Sequence, residues 1–146
     1  MVKFGKIVLL CGFLIGTISA KCHAGLFDPV ASAGSGERCG LAKKLYTESR
    51  KNETFTKNDA AELKKIASEK SDNCLMLSAM IFLAEYEDRN NNKAKNEDSL
   101  LLLYNEALSF ADAKGFEEEE ADLTYRLGMK YYSMKQFPQL LRRFNS

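Results

Sequence analysis

The sequence predicts an all-α protein, built as a stack of about three antiparallel helical hairpins behind a cleavable leader. Two observations support this fold class. Apolar residues recur at helical spacing from Glu37 onward, and no Asn-Gly or Asp-Gly turn lies between alternating apolar runs. Most polar breaks between the periodic segments are short, which favours neighbouring helices that pack against each other as hairpins.

Residues 1–24 have the three-part pattern of a secretory signal peptide. A short basic start precedes an apolar stretch over 7–18, and small residues follow it. A membrane span needs about 20 apolar residues, and Lys21 ends this stretch too early. Lipidation is disfavoured, because neither cysteine of the leader follows a small residue. We therefore expect export, to the periplasm rather than to the medium, and no membrane span in the mature chain.

The cleavage position decides the cysteine and histidine content of the mature chain. Cleavage after Ala24 leaves Cys39 and Cys74 and removes His23, whereas cleavage after Ala20 leaves a third cysteine. An odd thiol is a liability in an oxidising compartment, so we expect cleavage after Ala24. The two remaining cysteines are then expected to form a disulfide.

This content restricts the chemistry that the mature chain can perform. Without histidine there is no Ser-His or Cys-His nucleophile and no imidazole zinc site. Removal of the three leader lysines changes the formal charge from +1 to −2, which does not suggest a nucleic-acid or anionic-lipid surface. We expect no enzymatic activity, no metal, no other cofactor and no nucleic-acid partner.

The helical domain is expected over 37–146. Residues 25–36 precede it and contain Pro29 with a cluster of glycine and serine, which predicts an unstructured, flexible lead-in. The first helix is predicted at 37–50, where apolar residues share one face.

The second and third helices are predicted at 57–70 and 72–88. The second follows a capping pair, Thr56 and Asp59. The third is apolar from Cys74 to Ala84 except for a single serine, which predicts a buried central helix.

Three further helices complete the predicted domain. The fourth, at 98–114, has a strong amphipathic period and ends before Gly115. The fifth, at 117–134, opens with four glutamates that complement the helix dipole. The sixth begins at Pro138, a residue suited to a first helical turn.

The segment 121–144 resembles one tetratricopeptide repeat. The Leu, Gly, Tyr and two aromatic positions of that family are matched by Leu127, Gly128, Tyr131, Phe137 and Phe144. The pattern departs at Thr124 and Leu140, where the family has a bulky aromatic residue and Ala. The resemblance is weak elsewhere in the chain. It implies a tetratricopeptide-like stack in which Gly128 permits close approach of the paired helix, and an irregular helical bundle is the alternative.

The cysteine spacing is consistent with such a stack. Cys39 and Cys74 are 35 residues apart, close to one repeat length, and each lies near the start of its predicted helix. The first helices of neighbouring repeats run side by side in the same direction. Their starts would therefore be close enough for a disulfide, which needs Cα atoms within about 7 Å.

A second face of the fifth predicted helix carries the candidate binding residues Tyr125, Met129 and Tyr132. In the family that the segment resembles, this face lines the inner groove, where extended peptides or helices bind. Tyrosine is amphipathic and methionine is adaptable, so both suit a binding surface. The alternative is that this face packs on another helix of the same chain.

The functional expectation is an exported helical adaptor that binds another protein or a peptide in the periplasm or envelope. The alternative is a periplasmic immunity or inhibitor protein that neutralises a secreted toxic enzyme. An enzyme using paired carboxylates on cell-wall or carbohydrate substrates is the least favoured class, because it has no sequence signature here. The short helix predicted from Pro138 is expected to have an outer apolar face that no later residue covers, so that either a partner or a second copy of the chain covers it or the reading frame is shortened.

Overall fold

The computed structural model of the protein describes residues 25–90 and 97–134. These ranges are 83% helical and contain no strand, which confirms the all-α fold class. The predicted leader over 1–24 and the predicted helix from Pro138 lie outside the described residues. The described residues contain six helices: α1 (Asp28–Ser32), α2 (Arg38–Lys51), α3 (Lys57–Lys70), α4 (Asn73–Asn90), α5 (Glu97–Lys114) and α6 (Glu117–Ser133).

Local signals set several of the helix ends. The predicted capping pair forms before α3, where the Asp59 amide donates to Thr56 Oγ1 at 3.3 Å and the Thr56 amide donates to Asp59 Oδ2 at 2.7 Å. The helix ends at Ser71, which has a left-handed backbone with φ of 50°. α5 ends before Gly115, whose φ of 72° favours glycine. The sequence therefore defines these boundaries locally.

Residues 25–36 are not an unstructured lead-in, so this prediction is wrong. The segment contains α1, and the side chains of Phe27 and Val30 are fully buried. The Phe27 ring packs edge-on against Phe55, with 6.4 Å between centroids. Pro29 lies in the first turn of α1, where its missing N–H removes no helical hydrogen bond. Pro29 and the glycines suggested a loop, whereas the apolar residues Phe27 and Val30 beside them are buried in the core.

The third predicted helix is central in the structure. α4 packs on α2, α3 and α5. On one side, Phe82 stacks on Tyr46 of α2 with 3.8 Å between ring centroids, and Phe55 meets the same tyrosine edge-on. On the other side, Leu77 and Ala84 belong to a second apolar cluster with α5 and α6. This placement explains why α4 is apolar around most of its circumference.

A helix that crosses a membrane needs about 20 predominantly apolar residues. Among the helices in 25–90 and 97–134, none is long and apolar enough to cross a membrane.

Cys39 and Cys74 form a disulfide that joins the starts of α2 and α4. Their Cα atoms are 5.9 Å apart. Farther along the same two helices, Tyr46 contacts Phe82 and Arg50 pairs with Glu85. Because the contacts advance along both helices together, α2 and α4 run side by side in the same direction.

We predict that Phe27→Ala lowers the free energy of unfolding by about 3 kcal/mol, because it opens a cavity where α1 meets the core. Urea unfolding followed by circular dichroism measures the change. The control is Leu102→Ala, at a side chain that is 58% exposed, which should change stability by less than about 0.5 kcal/mol. Equal stabilities for the two variants would mean that α1 is not part of the core.

We predict that a reducing agent lowers the free energy of unfolding by about 3–4 kcal/mol. The disulfide closes a loop of 35 residues, and its loss frees the unfolded chain. Urea unfolding with and without dithiothreitol tests this. The Cys39→Ser/Cys74→Ser double variant should unfold at one midpoint in both buffers. If dithiothreitol does not change the urea midpoint of the wild type, the disulfide between Cys39 and Cys74 is contradicted.

Candidate partner-binding surfaces

Glu85 lies on α4, between α2 and α6, and its side chain is largely buried. Its Oε2 accepts a hydrogen bond from the Tyr46 hydroxyl of α2 and lies 3.4 Å from Arg50 Nη1. Its Oε1 pairs with Arg126 Nη1 of α6. Both carboxylate oxygens therefore have partners, as a buried charge requires.

The groups around Glu85 keep fixed protonation states at neutral pH. Burial raises the pKa of Tyr46, and donation to the Glu85 carboxylate raises it further. Burial alone would lower the pKa of Arg126, but Glu85 and Asp122 more than offset this, so its pKa is raised. Burial also raises the pKa of Tyr104 to about 12. All three shifts therefore move the pKa of the group away from neutrality.

Glu85 lies on the face of α4 that contacts α2. Cys74, Ser78, Ile81 and Glu85 recur at helical spacing and face α2, where Cys39 Sγ lies 3.6 Å from Ser78 Oγ. Sequence reasoning missed Glu85. One sequence signal could have indicated it: Glu85 follows Ser78, the one polar residue between Cys74 and Ala84, by seven residues, and the two therefore lie on the same face of the helix.

A pocket of about 330 Å³ lies between α2, α4 and α6. Its apolar wall includes Leu77, Ile81 and Phe82. Its three basic side chains each have an acidic partner: Lys43 pairs with Glu119 at 3.0 Å, Arg50 with Glu85 at 3.4 Å, and Arg126 with Asp122 at 2.6 Å. Glu118 also lines the pocket, so four acidic side chains face these three basic ones.

The predicted binding residues Tyr125, Met129 and Tyr132 do not line this pocket. α6 presents Asp122 and Arg126 to it instead. This pocket is therefore formed by a different side of α6 from the predicted binding residues.

The three side chains share a different, outward face of α6, and they are 68%, 52% and 62% exposed, respectively. The alternative, that this face packs on another helix, does not hold for α1 to α5. That Tyr125, Met129 and Tyr132 bind a partner stays a prediction.

No group of three or more histidine, cysteine or acidic side chains in 25–90 and 97–134 is placed to hold a metal ion.

Comparisons with protein-family models, curated protein sequences and solved structures give no match to this chain. The tetratricopeptide resemblance therefore depends on the residues of the chain alone.

We predict that Glu85→Ala lowers the free energy of unfolding by about 2–4 kcal/mol, because Tyr46 and Arg126 lose their shared acceptor. Glu85→Gln should lose less, because an amide oxygen still accepts from the tyrosine. Urea unfolding measures both. Glu106→Ala, at an exposed position of α5, is the control and should be nearly neutral. If Glu85→Ala is as stable as this control, Glu85 does not hold the three helices together.

Proposed function

We propose that the chain is an exported, tetratricopeptide-like adaptor that binds another protein or a peptide in the periplasm or cell envelope and catalyses no reaction. The observation that carries the proposal is the exposed face of α6 formed by Tyr125, Met129 and Tyr132. We call these three residues the α6 surface.

The other sides of α6 are already used within the chain. Leu123 and Leu127 are buried in the core shared with α4 and α5. Arg126 pairs with Glu85 of α4, and Lys130 pairs with Asp88 of the same helix. The α6 surface consists of the large exposed side chains of this helix, at positions 125, 129 and 132. Large tyrosine and methionine side chains suit a protein contact, since they add apolar area while the tyrosine hydroxyls still form hydrogen bonds.

The packing of the helices supports a stack of hairpins. α2 and α4 run in the same direction, and the contacts from α4 to α6 also advance along both helices, from Glu85–Arg126 to Asp88–Lys130. α2, α4 and α6 would then be the first helices of successive hairpins, with α3 and α5 as the second helices. This is the order expected of tetratricopeptide-like repeats.

The burial of the repeat positions gives partial support. Leu127 and Tyr131, which match the family pattern, are buried as that pattern implies. A Cβ added to Gly128 would meet no atom within 4 Å, so the described helices do not make the close approach expected there. Phe137 and Phe144, the two aromatic matches, lie outside the described residues.

The disulfide supports export. A bond between Cys39 and Cys74 persists in an oxidising compartment such as the periplasm, and reducing systems in the cytosol would open it. This agrees with the signal peptide predicted over 1–24.

Site-specific photocrosslinking in the native host tests the adaptor proposal. A benzoylphenylalanine at position 129, in the full chain with its own leader, should crosslink to one defined partner. The matched control is the same photoprobe at Leu102, which is also exposed but lies on α5. The partner identified by mass spectrometry is then purified for affinity measurements.

We predict that Tyr125→Ala/Met129→Ala/Tyr132→Ala weakens binding of that partner at least tenfold, a loss of about 1.4 kcal/mol or more. The helical circular dichroism should not change, because the side chains removed are exposed. Leu102→Ala should bind as the wild type does. If the triple variant binds with wild-type affinity, the α6 surface is not the contact. If neither photoprobe gives a crosslink, the adaptor proposal fails.

A further inference from the structure

We propose that hydrolysis after Ala24 creates a structural ion pair, in which the new α-ammonium group of Gly25 binds between the carboxylates of Asp28 and Glu62 and ties α1 to α3. This inference rests on the export proposed above, and it assigns a structural role to the chain end that export produces.

The Gly25 nitrogen is already held against one of these carboxylates. It donates to Asp28 Oδ2 at 2.9 Å, and the Asp28 amide donates back to the Gly25 carbonyl at 3.2 Å. This reciprocal pair fixes the nitrogen relative to the first turn of α1. A terminal ammonium at the same place would keep the contact and add a charge to it.

The second carboxylate comes from α3. A Cβ built on Gly25 would lie 1.9 Å from Glu62 Oε1, so the Glu62 carboxylate lies directly against residue 25. Residue 25 is thus enclosed by acidic groups from two helices that are far apart in the sequence. A side chain at this position would displace Glu62, whereas glycine allows the close approach.

The charges around Glu62 are unbalanced while the nitrogen of residue 25 is a neutral amide. Burial is the main cause that raises the pKa of Glu62. The charges of Asp28 and Asp59 and a hydrogen bond with the Asp28 side chain raise it further, while Lys65 opposes them. The acidic groups therefore repel one another. A cation at the Gly25 nitrogen would relieve that repulsion, since an opposite charge within about 4–6 Å favours the ionised carboxylate.

Cleavage supplies this cation from the chain itself. Hydrolysis of the Ala24–Gly25 peptide bond adds one water, with hydroxyl to the Ala24 carbonyl carbon and hydrogen to the Gly25 nitrogen. The resulting amine takes a further proton from solvent, because an α-amino group has a pKa of about 8. Cleavage after Ala20 would leave the Gly25 nitrogen as an amide and would not form the pair.

The consequence is a link between processing and stability. α1 contributes the fully buried Phe27 and Val30 to the core, and a free chain end so close to them would otherwise fray. An ion pair to Glu62 holds that end on α3. The mature chain is therefore expected to be more stable than the unprocessed chain.

The test uses the processed protein purified from the exported compartment. Its N-terminal sequence should begin at Gly25. The pKa of the α-amino group, measured by pH-dependent acylation and mass spectrometry, should lie above its ordinary value of about 8. We predict that Glu62→Gln lowers this pKa toward 8, whereas the control Glu48→Gln, at an exposed position of α2, leaves it unchanged.

The same ion pair has a defined pH signature. Because the amine pKa is raised in the folded state, the added stability is full below about pH 8 and is lost as pH rises through the folded value. Glu62→Gln should remove this part of the pH dependence. A structural role of Glu62 that did not involve the amine would leave the amine pKa where it is.

The outcomes separate this inference from the adaptor proposal. A mature chain that begins at Lys21 overturns the inference and leaves export intact. A chain that begins at Gly25 with an amine pKa of about 8 overturns the ion pair alone. A chain that keeps its leader in the cytosol overturns both.

Discussion

The burial of α4 on several sides is the constraint on which the rest of the described structure depends. An apolar helix of this kind must be covered, and α2, α3 and α5 pack on it directly. Glu85 is the exception within that apolar surface. Its charge is tolerated because Tyr46, Arg50 and Arg126 converge on it from α2 and α6. The buried carboxylate therefore links α4 to both α2 and α6.

The same network bears on function. The three basic side chains that line the pocket between α2, α4 and α6 are each paired with an acidic group of the same chain. Arg126 turns one side of α6 toward α4, and this turns Tyr125, Met129 and Tyr132 toward solvent. The orientation of the proposed binding surface thus depends on the buried leucines of α6 and on its ion pairs with α4, of which Glu85–Arg126 is one.

The sequence predicted best where the signal was local. The capping pair of Thr56 and Asp59 gave the start of α3, and the period of the apolar residues gave the long helices to within a few residues. The prediction for residues 25–36 was wrong, because the composition of that segment suggested disorder. Its burial depends on Phe55, which is distant in the sequence. The pairing of Cys39 with Cys74 followed from the two cysteines that cleavage after Ala24 leaves, and their spacing of 35 residues was consistent with it.

By itself, the sequence determined the helical fold class, most helix boundaries, the central place of α4 and the cysteine pair. The first three depend on residue identity and on spacing along one helix, and the cysteine pair depends on the number of cysteines that remain after cleavage. The tertiary structure alone decided the burial of α1, the partners of Glu85 and the face that α6 presents to the pocket. The physical reason is rotational. Spacing fixes the angles between side chains on one helix, but the rotation of that helix against its neighbours is set by contacts between residues about 40 positions apart, such as Glu85 and Arg126.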